Sequence, residues 1–339
     1  MKAVVAHVLG TPETLAIEDW TCRSPASGEV RTGICYAGVS FVDVLTAAGG
    51  YQVKPPTPFI PGSDFSGIVL EVGAGVAGLA PGDRVCGGSF GGVFAEEIVT
   101  AATSVTRIAE DADMAEAAVL RSSYLTACYA LWHTAKIQPG EVVLVLGAGG
   151  AVGIACVQLA KAYDAVVIAS ASSAAKRELA LANGAAHAID SNAADWRDQI
   201  KAITGGKGVN VTIDPIGGDH SERALRSLAW GGRHIVVGFA AGSIPKLPTN
   251  IILLKGGAVM GIDVRQLGIH EPAIFHAIAS ELDQLVATGV ARPPIAAVLP
   301  LEQFAEAMVL AQSGTSAGRI VLKMPAADEL QAAHPRGAS

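Results

Sequence analysis

The chain has 339 residues, half of them hydrophobic and 16% charged, with a formal net charge of −7. That length has room for about two domains of roughly 100–200 residues, and so apolar a composition excludes disorder driven by a poor core. The acidic balance argues against a nucleic-acid binder and against a polybasic membrane patch.

In chain order, alternating or β-branched segments predict strands at Lys2–Leu9, Leu15–Trp20 and Glu29–Tyr36. Punctuation by Pro55-Pro56, Pro58, Pro61-Gly62 and Pro81-Gly82-Asp83 marks a turn-rich β-region. The style changes near Ala115. Apolar strands then alternate with amphipathic helices: Val142–Leu146, helix Ala151–Ala162, Ala165–Ser170, and helix Ala174–Asn183 stopping at Gly184. Strands at His187–Asp190, Val209–Asp214, His234–Val237 and Val259–Ile262 continue the pattern. Repeated βα units with continuous apolar strands imply a doubly wound parallel sheet covered on both faces, an α/β fold. A helix near Ile274–Thr288 precedes strand signals at Ile295–Leu299 and Gly318–Lys323, so the chain returns to complete its first domain. The expected division is residues 1–120 with 292–325, residues 121–291, and a frayed tail over 326–339.

Cys22, Cys35, Cys86, Cys128 and Cys156 are odd in number and lack a C-x-x-C pair. Neither a disulfide framework nor a zinc-ribbon spacing results, and a reducing cytoplasm is the expected compartment. No secretory pattern is assembled at the N-terminus. The stretch from Val142 to Ala160 is long and apolar, but its glycines would break a membrane-spanning helix.

Strand Val142–Leu146 runs into Gly147-Ala148-Gly149-Gly150-Ala151-Val152-Gly153 and then a helix. Small residues there allow a sharp turn, close approach of backbone to a pyrophosphate, and tight packing of helix on sheet. The helix mouth offers unpaired N–H groups and partial positive charge. A Walker-type loop is disfavoured because no Gly-Lys-Ser/Thr follows. About twenty residues on, an NAD-specific fold places an acid for the ribose hydroxyls. This chain instead reads Ala171-Ser172-Ser173-Ala174-Ala175-Lys176-Arg177. Ser172, Lys176 and Arg177 suit a 2′-phosphate, which favours NADPH over NADH; the plain alternative leaves both cations solvated on a helix.

With these residues in view, the chain resembles the medium-chain dehydrogenase/reductase superfamily, in its zinc-free, NADPH-dependent quinone oxidoreductase branch. The resemblance covers nearly all of residues 1–325. It rests on Ala37-Gly38-Val39-Ser40-Phe41-Val42-Asp43, Pro58-Phe59-Ile60-Pro61-Gly62, Gly82-Asp83-Arg84-Val85, Tyr124-Leu125-Thr126-Ala127 and the glycine motif. It continues through Asp214-Pro215-Ile216-Gly217-Gly218 and Gly231-Gly232-Arg233 to Val237-Gly238-Phe239-Ala240. The family implies a GroES-like β-domain, a Rossmann domain, a nicotinamide in the interdomain cleft, and a homodimer. Carried over residue by residue, it implies cofactor contacts from Thr126, Gly147 to Val152, Gly238, Phe239 and Ala240, and a substrate cleft lined by Phe41, Tyr124 and Asn250. A structural role is expected for Lys255.

Zinc relatives carry cysteine, Gly-His-Glu and a further cysteine where this chain has Ser40, Gly62-Ser63-Asp64 and the neighbourhood of Ser122. Serine hydroxyls are poor zinc ligands, so no metal is expected. Without that Lewis acid, hydride delivery to an electron-poor quinone or enone needs least help. Tyr51 stands where related enoyl thioester reductases carry a tyrosine implicated in catalysis; its phenol could orient a carbonyl or relay a proton, or simply pack. Ser40, where relatives often have asparagine, can donate one hydrogen bond. Asp43 is expected to cap the following helix or serve in proton chemistry. The tyrosine and arginine that relatives offer the 2′-phosphate near Ser191 and Gly314 are missing. Arg121 is open to two readings, a phosphate or substrate contact and an ion pair with an acid such as Glu116. The expected function is a metal-free NADPH-dependent reductase of a small-molecule quinone or enone. The alternatives are an enoyl thioester reductase and a catalytically weak, crystallin-like NADPH-binding protein.

Overall fold

The structure, a computed structural model, describes residues 1–334; the end of the expected tail, residues 335–339, lies outside the described residues. The strands, in chain order, begin with β1 (Lys2–Val5), β2 (Ala16–Asp19), β3 (Glu29–Val39), β4 (Asp64–Val72), β5 (Arg84–Gly88), β6 (Glu97–Ala101) and β7 (Val105–Arg107). They continue with β8 (Val142–Leu146), β9 (Val166–Ala171), β10 (His187–Asp190), β11 (Val209–Asp214), β12 (Leu228–Val236) and β13 (Ala258–Gly261). Two more, β14 (Ile295–Pro300) and β15 (Arg319–Lys323), close the series. The fold is mixed α/β and divides into two compact units, Met1–Ser122 with the chain from Arg292 onward, and Ser123–Ala291.

The first unit is GroES-like. Its large sheet runs β14-β15-β3-β4-β5-β7, with β6 also paired to β3, and β1 and β2 form a separate antiparallel ribbon. Strand β15 lies antiparallel to β3, Ile320 opposite Val39, so the returning chain supplies an inner strand that local sequence could not. Val30, Ile34, Phe65, Val69, Phe94 and Leu322 are wholly buried in its core, each side chain of that size worth about 1.5–3 kcal/mol on burial. The same sheet places Asp64 opposite Gly38 of β3 and Gly88 of β5. These glycines leave room around a carboxylate that the rest of the core would exclude.

The second unit is a six-stranded parallel sheet in the order β10-β9-β8-β11-β12-β13. Strand order reverses between β8 and β11, the point at which open α/β sheets bind ligands beyond their carboxyl ends. Both the glycine turn after β8 and the Asp214–Gly218 segment after β11 sit there. Leu144, Leu146, Ile168, Trp196 and Leu225 fill one core of this unit. Among the described residues, no helix is long and apolar enough to cross a membrane. The apolar run from Val142 is divided between β8 and the helix Ala151–Ala162.

Two departures from the sequence reading have simple causes. Strand β12 begins at Leu228 rather than His234, because a register shift against β11 lets Gly231 and Gly232 ride within it. The segment Ala327–Ala333, expected to fray, is a short helix with Ala327 buried. The bare glycine at position 33 of β3 admits its Leu330, whose Cδ1 would stand 3.0 Å from an added Cβ.

The tightest approach in the second unit is at Gly153, where a Cβ would lie 2.2 Å from the carbonyl oxygen of Gly147. The contact is backbone, so no rotamer change relieves it. Gly153→Ala is expected to destabilise the protein by about 2–3 kcal/mol through overpacking, read as a lower urea midpoint at unchanged m.

Candidate functional site

In the second unit, Gly147 turns the chain at φ +58°, a left-handed conformation open to glycine at little cost. Gly150 is the N-cap of helix Ala151–Ala162 with no side-chain cap. The first N–H groups, at Ala151 and Val152, therefore have the orientation that binds an anion. Gly149 is bare for a specific reason. A Cβ there would meet Cβ and Cγ of Lys176, both at 2.6 Å, so the lysine stem lies directly over the turn. Burial of that stem pushes the Lys176 ammonium below its usual range. Ser172 is exposed at the end of β9, and Ser173 caps the helix carrying Lys176 by accepting from its backbone N–H at 3.3 Å.

Arg177 behaves differently from its neighbour. Its Nη1 donates to the Ala171 carbonyl at 3.1 Å and pairs with Asp190 at 3.0 Å, so part of its charge is spent within the protein. Gly238, Phe239 and Ala240 form the loop beyond β12, hung on the segment after β11. Gly238 and Ala240 donate to the carbonyls of Asp214 and Pro215, at 3.3 and 3.1 Å. Thr126 is half-buried, and Asn250 is exposed on helix Thr249–Lys255. Tyr124, expected on a substrate cleft, is instead buried with its hydroxyl donated to Gln158 at 2.5 Å. A tyrosine so enclosed packs the unit, and its phenol is already engaged. Lys255 donates to the Leu228 carbonyl at 2.5 Å, a structural tie.

In the first unit, Ser40 is the N-cap of helix Phe41–Ala47 and forms a capping box with Asp43. Phe41 opens that helix, half-buried. The Ser40 hydroxyl and backbone N–H both donate to Oδ2 of Asp43, at 2.6 and 2.8 Å. The Ser63 hydroxyl donates to the other oxygen, Oδ1. A second carboxylate, Asp64, accepts from the hydroxyl of Ser122 at 2.5 Å and from its backbone N–H at 3.2 Å. Burial pushes both carboxyls up. For Asp43 the serine bonds and Arg319 oppose the rise. Asp64 reaches about 6, with Ser122 and Arg319 opposing burial and the Asp43 charge adding to it.

Asp43 and Ser63 also line a shallow, solvent-open depression walled by Pro55, Phe59, Pro61 and Phe90. The Tyr51 ring lies 6.1 Å from that of Phe90. Neither expected catalytic side chain lines the depression directly: Ser40 is bonded to its Asp43, and Tyr51 neighbours its Phe90. Arg121, by contrast, is buried and donates to Thr106 Oγ1 at 2.8 Å and the Thr103 carbonyl at 3.5 Å. It braces the strand segment around β7 and does not pair with Glu116.

These donors do not fit a zinc ion. Where tetrahedral zinc wants thiolate and imidazole, the cluster offers three serine hydroxyls whose protons are already committed to two carboxylates. Among the described residues, no group of three or more His, Cys, Asp and Glu side chains is placed to hold a metal.

A dinucleotide-type turn at the switch point of one unit and a GroES-like sheet in the other define an oxidoreductase of the alcohol dehydrogenase type. Residues 26–110 match the family described as alcohol dehydrogenase GroES-like domain, and residues 151–282 match zinc-binding dehydrogenase. The chain is 40% identical to quinone oxidoreductase-like protein 2 of Mus musculus, over 92% of this chain and 89% of that protein. It is 35% identical to the quinone oxidoreductase of Rattus norvegicus, over 91% and 92%. The crystal structure of Escherichia coli quinone oxidoreductase complexed with NADPH superposes with a TM-score of 0.87 at 29% identity, covering 95% of this chain and all of that one. The chain belongs to the medium-chain dehydrogenase/reductase superfamily, in its quinone oxidoreductase-like branch.

The Asp64 titration gives a test with a definite sign. The folded carboxyl titrates near 6 against an ordinary 3.8, so the folded chain retains a proton that the unfolded chain releases. The associated stability is full below about pH 4 and is lost as pH rises to about 6, roughly 3 kcal/mol in all. Asp64→Asn removes that loss, so its stability relative to the parent should climb between pH 4 and 7. Urea unfolding at both pH values checks this; a pH-independent difference contradicts the assignment.

Proposed function

We propose that this chain is an NADPH-dependent reductase that delivers hydride to a quinone or an enone-type activated alkene without a metal ion. The observation that carries the reading is the stem of Lys176 laid across Gly149, which brings a cation to the glycine turn. Strand β9 ends at Ala171 with the exposed Ser172 after it, and the carboxylate opposite that end, Asp190 of β10, is paired with Arg177. Gly147, Ala148, Gly149, Gly150, Ala151 and Val152 would hold the pyrophosphate, and Ser172 and Lys176 the 2′-phosphate. Thr126 and the backbone of Gly238, Phe239 and Ala240 would hold the nicotinamide end. Arg177, tied to Asp190, contributes less to this site than its charge suggests. Bound coenzyme supplies the hydride; the protein supplies position, dryness and hydrogen bonds.

For the acceptor, the aromatic and proline walls around Asp43 and Ser63 suit a flat, weakly polar ring. Tyr51 is assigned to supplying the acceptor's proton and Ser40, whose hydroxyl is donated to Asp43, to holding that carboxyl in place, with Phe41 as a further contact. The hydroxyl–carboxylate cluster supports zinc independence, because every serine proton there already has an acceptor. All five cysteines are free thiols, in keeping with a reducing cytoplasm.

A homodimer completes the proposal. Strand β13 is an edge of the parallel sheet; Trp230, in the irregular start of β12, and Leu253, on helix Thr249–Lys255, are 80% and 79% exposed. An open edge with large exposed apolar side chains suits isologous pairing with a second copy. Leu253→Asp is expected to shift the protein from dimer to monomer in light scattering; a parent that is already monomeric contradicts this part.

Activity is tested by NADPH oxidation against quinones, enones and enoyl thioesters in the presence of a chelator. Acceptor-dependent turnover that survives chelation is expected with quinones or enones. Turnover only with the thioesters would establish the enoyl reductase alternative, and NADPH binding with no turnover would establish a binding protein. Lys176→Ala should raise KM for NADPH about 10- to 100-fold while leaving that for NADH nearly unchanged, the loss of one charge-assisted phosphate contact.

A further inference from the structure

Asp214, at the end of β11, is 1% exposed and has no assigned part in the chemistry, yet its carboxylate is saturated. Oδ1 accepts the backbone N–H groups of Ile216 and Gly217, at 3.0 and 2.8 Å. Oδ2 accepts the Ser221 hydroxyl at 2.5 Å and meets Nε2 of the fully buried His234 at 3.0 Å. The other ring nitrogen, Nδ1 of His234, has no partner. A buried N–H without an acceptor is costly, so the proton sits on Nε2 and is donated to Asp214. Burial pushes the Asp214 carboxyl up, but the bonds from His234, Gly217 and Ser221 outweigh it and hold it below its ordinary value. The group is therefore ionised and acceptor-only at neutral pH.

What this carboxylate shapes is the segment from Pro215 to Gly217, and that segment touches both ends of the coenzyme site. On one side, Ile216 packs on the glycine turn: its Cδ1 would be 2.5 Å from a Cβ at Gly147. On the other, the carbonyls of Pro215 and Ile216 accept the N–H groups of Ala240 and Ala241, at 3.1 and 2.8 Å, while Gly218 donates to the Ser243 carbonyl at 3.0 Å. The loop carrying Gly238, Phe239 and Ala240 is thus built on a segment whose conformation a single carboxylate fixes.

We propose that Asp214, held by Ser221 and His234, is the positioning residue of the coenzyme site, setting the nicotinamide-side loop relative to the glycine turn. This rests on the NADPH reading above. Asparagine is the informative replacement. Its oxygen can keep the two backbone bonds, but its amide then points N–H groups at the Ser221 hydroxyl and at the His234 N–H. Relief by moving the histidine proton would bury an unpaired N–H at Nδ1.

The test compares two ligands of the intact protein by calorimetry: NADPH, and adenosine 2′,5′-bisphosphate, which carries only the adenosine end. Asp214→Asn is expected to weaken NADPH about tenfold or more and to leave the bisphosphate within twofold. Ser221→Ala, which keeps the carboxylate and its backbone bonds, is expected to weaken NADPH about threefold with the same selectivity. It carries the test should the asparagine variant not fold. Equal weakening of both ligands, or of neither, overturns the inference, since a merely structural role has no preference between the ends of the coenzyme. Failure of the parent protein to bind either ligand overturns the coenzyme reading itself, and this inference with it.

Discussion

The close approach of backbone to backbone at the end of β8 constrains the second unit more than any other contact. The helix Ala151–Ala162 can begin where it does because Gly153 lies against the Gly147 carbonyl with no side chain between them. From that contact follow the direction of the helix mouth, the left-handed turn at Gly147 and the groove at Gly149 into which the Lys176 stem fits. Hydrophobic burial in the strands stabilises the sheet, but burial has no direction. The direction comes from three glycines whose absent side chains are each replaced by a named atom of another segment.

The first unit solves a different problem, how to keep charge inside a β-core. Asp43 and Asp64 are almost wholly buried, and a carboxylate without partners there would be costly. Each instead accepts hydroxyl and amide donors from serines whose own positions are fixed by a helix cap, a strand entry and a helix start. The arrangement is a hydrogen-bond set in which three serine hydroxyls all donate to the two carboxylates.

Much of this was legible in the sequence, and the rest was hidden for identifiable reasons. Strand β8, helix Ala151–Ala162 and strand β10 lie where the apolar periodicity placed them, since fully buried strands and a glycine turn leave strong local signals. The early start of β12 was hidden because Gly231 and Gly232 interrupt the apolar run ahead of His234, although a parallel neighbour can carry them through a bulge. The helix Ala327–Ala333 was hidden because it depends on Gly33, some 300 residues away. At the site, Ser40, Asp43 and Lys176 were visible as types and spacings. The partnership of Arg177 with Asp190, the burial of Tyr124 and the saturation of Asp214 were not, because each is decided by a residue distant in sequence. Asp214 did stand in a quoted motif; an acid followed by Pro-Ile-Gly-Gly at a strand end is the signal that carries it.

Asp43, Asp64 and Asp214 together suggest a common use of buried carboxylates in this fold. None of them is poised alone in a pocket awaiting a proton. Each sits at the end of a strand or the start of a helix and gathers donors that would otherwise point in different directions. Their titration differs because the balance differs. Asp214 has four donors, two of them backbone amides, and stays low, while Asp64, with one hydroxyl and one amide, is carried up to about 6 by burial. Counting donors per buried oxygen therefore separates a carboxylate that organises a loop at every physiological pH from one whose charge depends on the medium. On that count the Asp214 segment keeps its charge across the physiological range, whereas in the first unit Asp64 is a carboxylate whose charge changes with the medium.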